Sequence, residues 1–206
     1  MPVRVNVSPS VLVWARERSR RDYEELLHAF PHLPEWESDV AQPTLRQLEK
    51  YARATYTPLG LLLLEEPPSD QLPVPDFRTI GSTPNTAPSP NLLDAVYLCE
   101  QRQAWYRQYA RASNEPPVQF VGSTQPTADV VAVAASMRET LGFSRAVRDG
   151  FRNWADALRG LIELAESAGA LVMVSGIVAS NTRRVLDPRE FRGFALADEY
   201  SQLRDR

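Results

Sequence analysis

Cysteine, lysine and histidine are almost missing from this sequence, and the first and last shortages each remove a class of chemistry. Cys99 is the single cysteine. That excludes a disulfide framework within one chain and a thiolate zinc site, and it leads us to expect a reducing, cytoplasmic compartment. His28 and His32 are the only histidines. The stretch His28-Ala29-Phe30-Pro31-His32 lacks the glutamate of a zinc-binding helix, and Pro31 is disfavoured inside a helix by about 3 kcal/mol. The pair is therefore read as satisfied or surface histidines. With no histidine after His32, the rest of the chain has no Ser-His or Cys-His pair. Glycine-rich phosphate loops are also missing. The longest apolar run, near residues 59–64, falls far short of the roughly 20 residues that span a bilayer. The N-terminus carries no signal-peptide core, so no membrane association is expected. Lys50 is the only lysine; arginine carries the basic charge, which we read as a composition bias.

What is present is ordinary globular material. The 206 residues are 43% hydrophobic and 24% charged, enough to bury a core in one large or two small domains. A net charge of −3 gives no general attraction to nucleic acid, so any such contact must come from a local patch. Three regions separate: 1–66, a proline-rich linker at 67–90, and 91–206. No internal repeat is visible.

In the first region, Pro9 opens a helix capped by Ser8, with Val11, Leu12, Trp14 and Ala15 on its apolar face. Asp22 caps a second helix, with Glu25 completing a capping box and Leu26, Leu27 and Phe30 buried. Thr44 starts a third helix, in which Leu45, Leu48, Tyr51 and Ala52 recur at helical spacing. Thr57 and Pro58 cap a last short helix. In the linker, Phe77 and Arg78 are expected anchors. The third region opens at Ser89 and Pro90 with a long helix, whose stripe is Leu92, Leu93, Val96, Tyr97, Trp105 and Tyr109. Further helices are predicted over about 128–141, ended by Gly142, and over 154–168, capped by Asn153 and ended by Gly169. The runs LVMVSG (171–176) and FRGFALA (191–197) are predicted to be paired strands. Cys99 reads as a small buried residue, and Asp187, Glu190, Asp198 and Glu199 as a solvated acidic face. The fold class is α+β, mostly α.

The first region resembles the XRE (lambda-repressor-like) helix-turn-helix family. The resemblance rests on Glu25-Leu26-Leu27, on WESDVAQP with Asp39 where the family has glycine, and on LRQLEKYARAT. The glycine position calls for a left-handed backbone, which Asp tolerates. One departure concerns the recognition helix, which in the family is about four residues longer. Here the segment is PHLPEW, and the loss amounts to about one helical turn. Residues 1–65 carry eight Arg or Lys against nine Asp or Glu, so only the local run RERSRR is basic. If the resemblance extends to double-stranded DNA, Arg18, Arg20, Arg21 and Arg46 would contact phosphates while His32 and Glu35 approach bases. If it does not, the module serves packing or partner binding.

From residue 72 onward the chain resembles the ImmA/IrrE family of regulatory metallo-endopeptidases that carry an N-terminal helix-turn-helix. The matching blocks are LPVPDFRT, PNLLDAVYLCEQRQAWYRQYA, LVMVSGIVASNTRR and LDPREFRGFALADE. In that family the strands lead into a helix bearing His-Glu-x-x-His, whose histidines share a zinc ion while the glutamate polarises water. This sequence contains no such motif, so the resemblance implies a form truncated before it. No catalytic residue, metal site or cofactor is expected. The expected function is that of a non-catalytic transcriptional regulator or sensor that binds DNA, a repressor or another regulatory protein. The alternatives are a metallo-endopeptidase relative lacking its zinc half and an interaction module of antitoxin type. Strand edges left open by the missing half predict a homodimer or poor solubility.

Overall fold

A computed structural model describes residues 3–69, 72, 87–125 and 127–200. Among them the chain is mostly helical, with eight α-helices, one 3-10 turn and a two-stranded antiparallel sheet, a mostly-α member of the α+β class. The described residues fall into two units, 3–69 with 72 and 87–94, and 95–125 with 127–200. The expected anchors Phe77 and Arg78 lie outside the described residues.

The first unit contains α1 (Pro9–Ser19), α2 (Tyr23–Ala29), α3 (Leu33–Glu37), α4 (Leu45–Ala54) and a 3-10 turn at Leu59–Leu63. Local chemistry sets most of these ends. Thr44 and Gln47 form a reciprocal capping box: Gln47 N–H donates to Thr44 Oγ1 at 3.3 Å, and Thr44 N–H donates to Gln47 Oε1 at 2.8 Å. Asp22 accepts from Glu25 N–H at 3.1 Å, but the Glu25 carboxylate turns to Arg21 instead of closing the box. Ser8 sits at the start of α1 without capping it; its hydroxyl lies 2.9 Å from that of Ser10, and Pro9 in the first turn carries the start. Neither Thr57 nor Pro58 caps the 3-10 turn through a side chain; the Thr57 hydroxyl donates to Thr55 O. Asp39 takes the left-handed backbone its position requires, with φ 59°.

These helices close over one apolar core. Val11, Leu12 and Ala15 of α1 meet Leu26 and Phe30, Leu33 and Trp36, and Leu48 and Tyr51. Phe30, Trp36 and Tyr51 pack edge to face, with Phe30 and Tyr51 centroids 5.4 Å apart at 82° and Trp36 and Tyr51 6.4 Å apart at 89°. The Tyr51 hydroxyl donates to Leu12 O at 2.8 Å inside this core, and burial pushes its phenol well above the usual range. Leu45 is exposed, contrary to the sequence reading. The N-terminal strand of chain is fastened beside α4: Val5 N–H donates to Pro43 O at 2.9 Å and Leu45 N–H to Val3 O at 3.0 Å.

The boundary between the units falls inside α5 (Pro90–Ala112), which Ser89 caps by accepting from Leu92 N–H at 3.1 Å. The second unit continues with α6 (Val130–Thr140), α7 (Arg145–Asp149), α8 (Trp154–Ser167), β1 (Ile177–Val178) and β2 (Asn181–Val185). Asp129, Ser144 and Asn153 each cap the helix that follows. Gly142 (φ 63°) and Gly169 (φ 101°) follow α6 and α8 in the left-handed region that stops a helix. The short helix α7 was not foreseen; five residues carry too little periodicity to show.

Three expectations for this unit are corrected. LVMVSG and FRGFALA are not a strand pair. The sheet is a local pair instead, joining Ile177 to Val185 and Val178 to Asn181, so β1 follows LVMVSG and β2 precedes FRGFALA. Residues 171–176 form no described ladder, and Val174 points outward, so their β-branched content reflects propensity without a partner. The stripe on α5 is buried only at its start: Leu92, Leu93 and Val96 are covered, whereas Tyr97, Trp105 and Tyr109 are exposed. Finally, of the acids Asp187, Glu190, Asp198 and Glu199 read as a solvated face, Asp187 and Glu199 have exposed side chains and Asp198 does not. Asp198 is buried, with Arg107 Nε 2.5 Å from its Oδ2, close in charge but not aligned as a hydrogen bond. Glu199 accepts from Arg111 at 2.6 Å and Asp187 from Arg189 at 3.0 Å. Among the described residues these acids make no metal cluster.

Candidate functional site

Most of the residues expected to meet DNA make contacts within the first unit. Arg18, Arg20 and Arg21 lie at and just beyond the end of α1, where they meet backbone carbonyls. Arg18 donates to Tyr56 O and Arg21 to Ala54 O, both at 3.4 Å. These carbonyls belong to the frayed end of α4, where helix geometry leaves acceptors without intrahelical partners and the macrodipole is negative. Tyr56 is held at φ 52°, a costly conformation for a large side chain, and the Arg18 contact helps fix it. The Arg18 guanidinium also lies over the Trp14 ring, 5.3 Å from its centroid. Arg20 donates to Ala87 O at 2.6 Å, tying the segment that leads into α5 to the end of α1. Arg21 is further paired with Glu25 at 3.3 Å.

The segment that would read bases is α3, five residues long with Pro34 in its first turn. Two of those five, Leu33 and Trp36, are buried in the core. Glu37 is drawn back to α1 by Arg16, whose Nε donates to Glu37 Oε1 at 2.7 Å. Burial acts to lower the Arg16 pKa, but the hydrogen bond and charge of Glu37 outweigh it and leave it raised. His32 and Glu35 lie near each other, Nδ1 to Oε1 3.6 Å, and both side chains are exposed. Arg46 is exposed on the first turn of α4. Sequence reasoning missed Arg16, because nothing in the local pattern announces a partner twenty-one residues away.

The histidines offer no chelate: both are exposed, and no group of three potential ligands occurs among the described residues. Cys99 is half-buried, its Sγ 3.7 Å from Met173 Sδ. Burial pushes its thiol up, partly offset by Arg102. That is the setting of an inert thiol, not of a nucleophile. No helix among the described residues is long and apolar enough to cross a membrane.

The second unit carries a cavity of about 460 Å³ flanked by α6, the turn at 120–124, and residues 195–197. Segment 196–199 is pinned in place: Leu196 O accepts from Gln103 Nε2 at 3.3 Å, and Glu199 O accepts from Val118 N–H at 2.8 Å.

No family model, no curated protein and no solved structure matches this chain.

Proposed function

We propose that this chain is a non-catalytic regulator. Its lambda-repressor-like unit serves as a packing and protein-binding module instead of a reader of base pairs, and its ImmA/IrrE-like unit receives a signal. The observation that carries this reading is α3. A recognition helix places three or four side chains at base edges, whereas α3 has five residues and commits Leu33 and Trp36 to the core. The arginines of α1 support the same view, since Arg18, Arg20 and Arg21 bind the protein's own carbonyls. The nearest partner class is a repressor or other regulatory protein, in the manner of an antitoxin-type interaction module. A homodimer would use the outward apolar residues of α6 and α8 more readily than sheet edges.

A second reading, a regulator that does read DNA, is favoured by one feature: Arg46 is exposed at the start of α4, beyond the reach of the core. The remaining reading, a metallo-endopeptidase relative, finds no histidine after His32 to hold zinc in the second unit.

The test is titration of the purified chain against its own upstream DNA and against scrambled DNA, across a salt series. Equal, weak binding to both is expected. Sequence-specific binding with a steep salt dependence would reject the protein-binding reading and establish the second one.

A further inference from the structure

We infer that the cavity of the second unit is a binding site for an uncharged, largely apolar small molecule with one hydrogen-bonding end. Its volume, about 460 Å³, lies within the range of about 300–1,000 Å³ that small ligands occupy. One wall is a face of α6, on which Val133, Ser136, Met137 and Thr140 fall at helical spacing. Phe120 and Val121 form part of the opposite wall. The space is left by four small side chains, Ala165, Ala170, Ala195 and Ala197; leucines at these positions would occupy it.

The chemistry of the lining selects the ligand. No Asp, Glu, Lys, Arg or His contributes to it, so a charged ligand would lose water without gaining a counter-charge. The polar groups are hydroxyls. Ser136 and Thr140, one turn apart on α6, each offer a donor and an acceptor. Ser123 donates to Phe120 O at 2.7 Å, which leaves its oxygen able to accept. A macromolecule would find a different surface: the outward Val131 and Trp154 are not part of the lining.

This inference deepens the reading of the second unit as the receiver of a signal and rests on it for its biological use. Its test reads binding alone, whereas the DNA titration reads the first unit, so either can fail without the other. The full chain is titrated with phenylnaphthylamine, a neutral fluorescent aromatic, and with its anionic analogue anilinonaphthalene sulfonate. Saturable binding of the neutral probe at one per chain is expected, with the sulfonate roughly tenfold weaker or worse, a difference of about 1.4 kcal/mol. Ala165→Leu, which fills the cavity, and Met137→Lys, which charges an exposed position of its wall, should each weaken the neutral probe by roughly tenfold. Circular dichroism checks that both variants fold. Trp154→Ser and Val131→Lys should change nothing. Binding at several probes per chain, equal affinity for the anion, indifference to both cavity variants, or equal loss with Trp154→Ser would overturn the site and assign the signal to general apolar surface.

Discussion

The two units use similar amino acids in opposite ways. In the first, short helices enclose a continuous core from Val7 to Leu62, and Arg16, Arg18 and Arg21 contact Glu37 and backbone carbonyls of the same unit. In the second, only Val96, Ala110, Val178 and Leu196 are buried apolar residues among those described, and α6, α7 and α8 contribute none. Capping does not explain the difference: α1 and α3 of the first unit lack a side-chain cap, whereas α6, α7 and α8 of the second are each capped. The lesson is that caps set where a helix begins and ends, while burial decides what the helix is for. A unit closed on itself is a scaffold. A unit that leaves apolar side chains and a cavity at its surface is suited to meeting something else.

Two tryptophans give the sharpest way to break this comparison. Trp36 is 2% exposed and Trp154 is 80% exposed. Trp36→Ala should cost about 3–5 kcal/mol through the cavity it leaves, read as a large drop in the urea midpoint of the first unit. Trp154→Ala should stay within about 0.5 kcal/mol of the parent chain. A large loss at Trp154 would mean that the second unit is closed after all.

A glycine tests the same point from the opposite side. Gly160→Ala on an exposed helix would ordinarily stabilise by about 0.8–1.0 kcal/mol. Here a Cβ would stand 2.3 Å from Phe151 Cε1, so the ring must move. The substitution should destabilise the second unit, by about 1–3 kcal/mol if the ring cannot relax, read as a lower thermal midpoint. A rise would show that this corner is loosely packed like the rest.

Smaller effects sharpen the account of the first unit. Thr44→Ala removes the capping box and should cost about 1 kcal/mol, measured by denaturant unfolding. Alkaline pH should act through Tyr51. Its folded pKa is raised above the ordinary 10.0 by burial, so the unfolded chain loses the phenol proton first. The stability it protects is complete below that value and falls as pH rises beyond it. Tyr51→Phe should flatten this alkaline limb, and an unchanged limb would contradict the assignment.

Much of the helical framework was legible because caps are local. Asp22, Thr44, Asn153, Gly142 and Gly169 each act within one turn of sequence, and the left-handed Asp39 follows from the turn it occupies. The errors came where meaning depends on distant neighbours. LVMVSG has the residues of a strand but pairs with none of the described strands, and Trp105 and Tyr109 have the spacing of a stripe but are exposed among the described residues. The internal contacts of the arginines expected at DNA were hidden for the same reason. RERSRR shows where the positive charge lies, but not that Ala54, Tyr56 and Ala87 turn their carbonyls toward it. The cavity was invisible, since four alanines scattered between 165 and 197 carry no pattern in one dimension.

The contrast between a closed scaffold and an open working surface is tested most directly by hydrogen exchange, resolved by segment, on the full chain. Amides of α1 and α4 should exchange only on global unfolding, while those of α6 and α7 should exchange through local opening, orders of magnitude faster. Equal protection of the two units, with α6 as slow as α4, would contradict the account.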